Sequence, residues 1–337
     1  MMQAQFYISR ATNPYENLAI EEYLLDHLET DEAILYLWQN QNTVVIGKNQ
    51  NCWKECKVRE LEESGGYLAR RLSGGGAVYH DLGNVNFTFL LKESTYDVAR
   101  QLDVILAALK QQGIQGTKSG RNDLIIMDGD KTETGRKFSG NAFYKRGENC
   151  YHHGTLLLDV DKESLSLYLH PSVAKLQSKG VSSVRSRIVN LREIVPSLTV
   201  SDLQDSLLVA FEQEYGQKSR EIPGFPSADI RQLTDKYASS AWKYGERESF
   251  SISIEHRFPW GEIEIALEAK SGRIRNVMVY SDAMDSTLIA SIAPYLQNRP
   301  FSGKDLGAAL APLEKEQRKE NRIIIRDIRD FLCTQDF

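Results

Sequence analysis

The chain is short of three things, and each shortage removes a class of function. Its 337 residues hold only four cysteines, Cys52, Cys56, Cys150 and Cys333. They are too few and too irregularly spaced for a disulfide scaffold. Cys52 and Cys56 could share a helical face, but no second pair at zinc-site spacing accompanies them. Reduced thiols in a cytoplasm are the expectation. No apolar run approaches the length of a membrane-spanning helix. The opening Met1-Met2-Gln3-Ala4-Gln5-Phe6-Tyr7-Ile8 has neither a basic segment nor a long apolar core, so no leader is expected. Positive charge is not in excess either. A net charge of -5 and a pI near 5.8 argue against a general nucleic-acid or membrane-surface role. What remains is an ordinary globular composition, long enough for one large and one small domain.

What the chain does have is the run Arg70-Arg71-Leu72-Ser73-Gly74-Gly75-Gly76-Ala77-Val78-Tyr79-His80-Asp81. Three consecutive glycines let the backbone turn tightly and bring N–H groups close to a ligand. The paired arginines supply donors suited to phosphate or carboxylate oxygens. The run matches neither the P-loop, which ends in Lys-Ser/Thr, nor the dinucleotide-binding glycine spacing. Taken alone, such a turn is more often a hairpin or a bulge. Three further strings change its weight: Ser119-Gly120-Arg121-Asn122-Asp123, Arg136-Lys137-Phe138-Ser139-Gly140-Asn141-Ala142 and His152-His153-Gly154-Thr155-Leu156-Leu157.

Periodicity and punctuation predict strands at 5–9, 33–39, 43–47, 67–71, 84–91 and 150–160, with a hairpin of 123–127 and 136–144 around the turn 128–130. Helices are expected at 17–28, 54–64, 98–112, 161–168 and 201–215. The glycine run thus joins two strands. A boundary is expected in the polar stretch 235–249, followed by strands at 250–258, 262–269 and 274–280. Lys270-Ser271-Gly272-Arg273 turns the last pair, and three helical patterns start at 285, 303 and 314. Strands and helices mix without regular alternation, which favours α+β over a doubly wound sheet.

In their order along the chain, the four strings resemble the lipoate–protein ligase A family. So do Asn17-Leu18-Ala19-Ile20-Glu21-Glu22, Trp38-Gln39-Asn40, Val44-Val45-Ile46-Gly47 and Lys179-Gly180-Val181-Ser182-Ser183-Val184-Arg185-Ser186-Arg187. The resemblance covers about the first two thirds of the chain. It implies a catalytic domain of the biotin/lipoate-protein ligase type over 1–245, with mixed sheets flanked by helices. A small α+β accessory domain over 246–337 would follow. The implied reaction activates lipoate with ATP to lipoyl-AMP, then passes the lipoyl group to a protein lysine. Acceptors would be lipoyl domains of 2-oxoacid dehydrogenase E2 subunits and the glycine-cleavage H protein.

On the same resemblance, Lys137 is the catalytic lysine, bridging the lipoyl carbonyl and the phosphate of the adenylate. An ammonium there offsets repulsion between carboxylate and phosphate. Arg71 and the backbone of Gly76, Ala77, Val78 and Tyr79 correspond to nucleotide-binding positions, and Gly75 would shape the same cradle. Adjacent strand residues face opposite ways, so one arginine suffices for the nucleotide and Arg70 is expected nearer the lipoyl pocket. His80 would line that pocket or orient a loop. Asp123 is a candidate ligand for Mg²⁺ arriving with ATP, or for ribose; as a plain turn residue it would cap 120–123. A metal at His152-His153 is disfavoured by strand alternation and by the lack of a third ligand.

Two rival enzymes run related chemistry. An ATP-independent octanoyl or lipoyl transferase would need a thioester cysteine, for which Cys150 is the candidate. A biotin–protein ligase shares the adenylate chemistry but not these strings. A silent lipoate-binding protein would not need both Arg71 and Lys137.

Overall fold

The computed structural model describes residues 2–120, 123–127, 135–170, 188–245 and 250–335. The pair 121–122, the turn 128–130, the string 179–187 and positions 246–249 of the expected boundary lie outside the described residues. The chain forms two compact units. One comprises Met1–Ile46, Cys52–Arg71 and Ala77–Lys243; the other comprises Gly47–Asn51, Leu72–Gly76 and Tyr244–Phe337. No described helix is long and apolar enough to cross a membrane.

In chain order the first unit carries β1 (Gln3–Ile8), α1 (Pro14–Asp26), β2 (Glu32–Trp38), β3 (Thr43–Ile46), α2 (Cys52–Glu55) and α3 (Val58–Glu63). Then come β4 (Tyr67–Arg70), β5 (Val78–His80), β6 (Asn84–Lys92), α4 (Val98–Gln111), β7 (Thr117–Ser119) and β8 (Asp123–Met127). The unit closes with β9 (Gly135–Arg146), β10 (Asn149–Leu157), α5 (Lys162–Tyr168), α6 (Val200–Tyr215), β11 (Arg220–Glu221), α7 (Ser227–Ala238) and α8 (Ser240–Tyr244). Eight strands form one mixed sheet in the order β11-β1-β2-β6-β10-β9-β8-β7, and β4-β3-β5 form a second, smaller one. Mixed sheets flanked by helices match the expected α+β class.

The large sheet buries both faces. One packs Val85, Phe87, Phe89 and Leu91 of β6 and Leu156 of β10 against Leu102, Ile105 and Leu109 of α4 and Leu203, Leu207 and Phe211 of α6. Helix α4 begins at an Asp97 cap and α6 at a Thr199–Asp202 capping box. The other face lies under α1, whose Asn17 and Glu21 bond to groups of β2, β6 and β10.

Several expectations need correction. Helix α1 starts at Pro14 behind an Asn13 cap rather than at 17, so Glu21 and Glu22 lie in its third turn. Both are buried: Glu22 pairs with Arg146 and Lys236, and Glu21 contacts Thr88 and His153. The single helix expected over 54–64 is two. At the break, the N–H of Lys57 donates to the Tyr168 carbonyl and that of His170 to the Glu55 carbonyl, 2.9 Å each, so tertiary bonds displace helical ones. The glycine run does not lead directly to β6, because Val78–His80 first forms β5 against β3. Helix α7 escapes a reading of apolar periodicity, because what fixes it is charge and one aromatic. Lys236 reaches the buried Glu22 at 2.6 Å, and Tyr237 is fully buried. Burial would raise the Glu22 carboxyl; Lys236 and Arg146 instead hold it below the usual carboxylate range.

The second unit contains an antiparallel sheet of β12 (Ile252–Phe258), β13 (Gly261–Lys270) and β14 (Arg273–Ser281). Ser271 and Gly272 both take positive φ, 55° and 71°, as the tight hairpin expected there requires. Five helices replace the three expected patterns: α9 (Ser286–Ala290), α10 (Ala293–Leu296), α11 (Gly303–Ala309), α12 (Ala311–Glu316) and α13 (Lys319–Cys333). Pro294 and Pro312 mark two of the extra starts. Ile263, Ile265 and Leu267 of the sheet and Leu306, Ile325, Ile328 and Leu332 of the helices share its core.

Candidate active site

Lys137 owes its direction to a break in strand register. Between β8 and β9, Asp123 pairs with Gly140 and Leu124 with Ser139, but Ile125 pairs with Lys137, leaving Phe138 as an extra residue. Such a bulge re-aims the side chains around it. Phe138 joins the core with Leu124. Lys137 turns to the other face, alongside Gly140 and Asp123. Its Nζ lies 2.7 Å from Asp123 Oδ1, with side chains 21% and 10% exposed. Gly140 makes the space, because a Cβ there would sit 2.6 Å from Lys137 Nζ. The Lys137 carbonyl accepts the N–H of Val189 at 2.9 Å, holding the bulge from its far side. Two sequence strings thus meet in one ion pair.

Arg71 is buried at the end of β4, where Nη1 donates to the Val45 carbonyl at 3.2 Å. Burial pulls its pKa down to about 10, which still leaves it charged at neutral pH. Arg70 points elsewhere. Its Nε donates to the Trp242 and Lys243 carbonyls at 3.0 and 3.1 Å, while Trp242 Nε1 donates back to the Arg70 carbonyl at 2.8 Å. That clamp on the end of α8 uses the guanidinium expected near the lipoyl pocket.

Within the glycine run, Gly74 and Gly75 serve the second unit. A Cβ on Gly74 would meet the Ala283 carbonyl oxygen at 2.2 Å. Gly75 takes φ +86° and donates its N–H to that same oxygen at 3.1 Å. Of the run, Gly76, Ala77, Val78 and Asp81 are the residues not fully buried. Val78 and Tyr79 pair with Val45 and Val44 in β5. The Tyr79 hydroxyl reaches Asn42 at 3.2 Å, and burial pushes its pKa up to about 12.

His80 ends a relay that starts on α1. Asn17 Nδ2 donates to Asn40 Oδ1 at 3.0 Å, and Asn40 Nδ2 lies 3.2 Å from His80 Nδ1. The contact makes Nδ1 the acceptor, so the proton sits on Nε2. Burial first, and the nearby Arg71 charge second, pull the His80 pKa down to about 3, keeping the ring neutral. A second relay crosses the sheet: Trp38 Nε1 donates to Thr88 Oγ1, and Thr88 Oγ1 and His153 Nδ1 both contact Glu21 Oε1, at 3.1, 2.7 and 2.8 Å. Asn17, Glu21, Trp38 and Asn40 were visible in the sequence only as parts of motifs; their roles depend on contacts 20 to 130 positions away. His152 faces the opposite side, between Gln101 at 2.9 Å and Asn141 at 2.8 Å. Among the described residues no cluster of His, Cys, Asp and Glu could hold a metal ion.

Comparison with known proteins decides the family. Residues 13–212 match the lipoyl protein ligase A/B catalytic domain, and residues 247–332 match the bacterial lipoate protein ligase C-terminus. The chain belongs to the lipoate–protein ligase family. Among solved structures, P. falciparum LipL1 in complex with lipoate is 29% identical with a TM-score of 0.83, covering 98% of this chain and all of that one. A lipoate–protein ligase A bound with ATP is 25% identical with a TM-score of 0.61, over 72% of this chain and 99% of that one. The bi-partite lipoate protein ligase of Thermoplasma acidophilum, 24% identical with a TM-score of 0.64 over 75% of this chain and all of that one, shares the fold.

For a lipoate–protein ligase, the thiol at position 150 has no chemical task, and the structure gives it none. Cys150 is buried on the same face of β10 as His152 and Leu156, away from the face that carries Lys137. Burial pushes its thiol pKa up, the opposite of what a thioester nucleophile needs.

Proposed function

We propose that this ligase uses ATP to convert free lipoate into lipoyl-AMP with release of pyrophosphate, then transfers the lipoyl group to a lysine of a lipoyl-domain protein. The observation that carries the reading is the Lys137–Asp123 pair, raised by the bulge onto the polar face of the large sheet. The likeness to relatives whose structures hold lipoate and ATP supplies the substrates. Bringing a carboxylate to the α-phosphate of ATP sets two anions against each other. A lysine held in place by Asp123 can turn its ammonium to the substrate anions and offset their repulsion. In the first step the carboxylate oxygen bonds to phosphorus as the bond to pyrophosphate breaks. In the second the lysine nitrogen bonds to the acyl carbon as AMP leaves.

Arg71 and the backbone of the part-exposed Gly76, Ala77 and Val78 would receive the nucleotide, with Gly75 and Tyr79 shaping the turn at either side. His80 would border the lipoyl end. Mg²⁺ would be held by Asp123 together with phosphate oxygens; one carboxylate suffices for an ion that arrives with ATP, and it would neutralise phosphate charge. E2 lipoyl domains and the H protein are the proposed acceptors, and a cytoplasmic setting fits four free thiols.

The test is mass gain on an apo lipoyl domain given ATP and lipoate, with an ATP-free control supplied with octanoyl-loaded carrier. A gain of one lipoyl group that requires ATP, unchanged in Cys150→Ser, is expected. Transfer without ATP, lost in that variant, would replace this reading with a thioester mechanism.

A further inference from the structure

On and beside the face that carries Lys137 lie three buried polar atoms with no hydrogen-bond partner among the described residues: Asn84 Oδ1 and Asn86 Nδ2 on β6, and His80 Nε2 on β5 of the smaller sheet. Their residues are 0%, 1% and 3% exposed. Buried polar groups are paired in the great majority of cases, and an unpaired one costs about 1–3 kcal/mol, so three together mark a place where something else binds.

Strand register puts Asn86 in one row with the lysine, while Asn84 lies two residues along the same strand and His80 lies on β5 of the smaller sheet. Asn86 of β6 stands opposite Trp38 on one side and Thr155 on the other. Thr155 Oγ1 accepts the N–H of Gly140 at 3.2 Å, and a Cβ on Gly140 would lie 2.6 Å from Lys137 Nζ. Asn86 is therefore two strand spacings, roughly 10 Å, from Gly140, and the Lys137 ammonium lies over that same row. His80 closes the other end, its ring 6.1 Å from that of Trp38. Asn84 Nδ2 donates to Asn86 Oδ1 at 2.8 Å, locking the two amides together. Turning both amides over would keep the pair's bond and still leave one amide hydrogen donor beside one carbonyl acceptor.

A donor beside an acceptor matches the tetrahedral intermediate of acyl transfer, where an oxyanion and an N–H sit on the same carbon. We propose that the Asn84–Asn86 amide pair is a catalytic element of the transfer step: its donor bonds the developing oxyanion of the lipoyl carbonyl and its acceptor takes an N–H of the attacking lysine. The C–N bond forms, the C–O bond to phosphate breaks with its electron pair leaving on AMP, and the surplus amine proton passes to the released phosphate or to solvent. This inference rests on the function proposed above.

Two rates separate them. Lipoate-dependent exchange of pyrophosphate into ATP reads the first step, and single-turnover transfer from preformed lipoyl-AMP to an apo lipoyl domain reads the second. Asn86→Val should lower the transfer rate about 100-fold while leaving exchange within about threefold. Asn86→Thr has the same shape and keeps a hydroxyl donor; it should recover at least tenfold of the loss, at a melting temperature matching that of Asn86→Val. Equal transfer rates in the two variants, or equal losses in exchange and transfer, would overturn the amide assignment and leave the ligase reading standing. A wild-type chain that makes no lipoyl-AMP would overturn both.

Discussion

Where β6 runs through the eight-stranded sheet, the two faces are buried to the same degree and filled with opposite kinds of residue. On β6 alone, Val85, Phe87 and Phe89 look one way and Asn84, Asn86 and Thr88 look the other, all of them at 1% exposure or less. The first set packs on α4 and α6; the second faces α1 and the residues around Lys137. Depth therefore does not distinguish scaffold from chemistry here. What distinguishes them is how many buried polar groups each holds and how many of those are left unpaired. On the apolar face His152 has Gln101 and Asn141 at its two nitrogens, and Gln101 Nε2 is left without a partner among the described residues. On the polar face several atoms wait for partners.

The contrast is sharpest at two neighbouring positions. Lys137→Ala should lower lipoyl-adenylate formation about a thousandfold, read by pyrophosphate exchange. The melting temperature should fall only modestly, since the lysine is part-exposed and Asp123 loses one partner. Retention of activity within tenfold would break the division between faces. One residue on, Phe138→Ala should do the reverse. It should cost about 3–5 kcal/mol in a denaturant melt, with activity per folded molecule falling far less.

The smallest effect concerns pH and links the faces. Burial holds both His80 and His152 neutral, each with a pKa near 3. Their folded values lie below the unfolded value of about 6.5. The stability gained by keeping them neutral is thus complete above that pH and drains away as pH falls toward 3. The expected loss is roughly 1 kcal/mol per histidine per pH unit. Melts at pH 7 and 5.5 measure it, and His152→Gln should remove about half of that slope. Activity should show no titration from these two rings near neutrality.

Much of this was legible in the sequence. The amphipathic α4 and the hairpin turn at Ser271-Gly272 follow from local chemistry, and the string carrying Lys137 stands out through its family resemblance. What local chemistry could not show was anything decided by distant contacts. The break between α2 and α3 depends on Tyr168 and His170. Helix α7 depends on Glu22. Arg70 carries the same charge as Arg71, and only the position of α8 explains why its guanidinium is turned aside. Alternation along β9, counted from Ala142 and Gly140, would even have set Lys137 on the core side.

That last point has a consequence for how this strand tolerates change. The surplus residue works like a frame offset: upstream of it odd positions face substrate, downstream even ones do. Were Phe138 itself to take the place opposite Ile125, an unbroken ladder would return and each upstream residue would shift by one place, turning Lys137 to the core side. Substitutions in this segment can be judged residue by residue; insertions and deletions cannot, because here the chain encodes the address of its cation by counting.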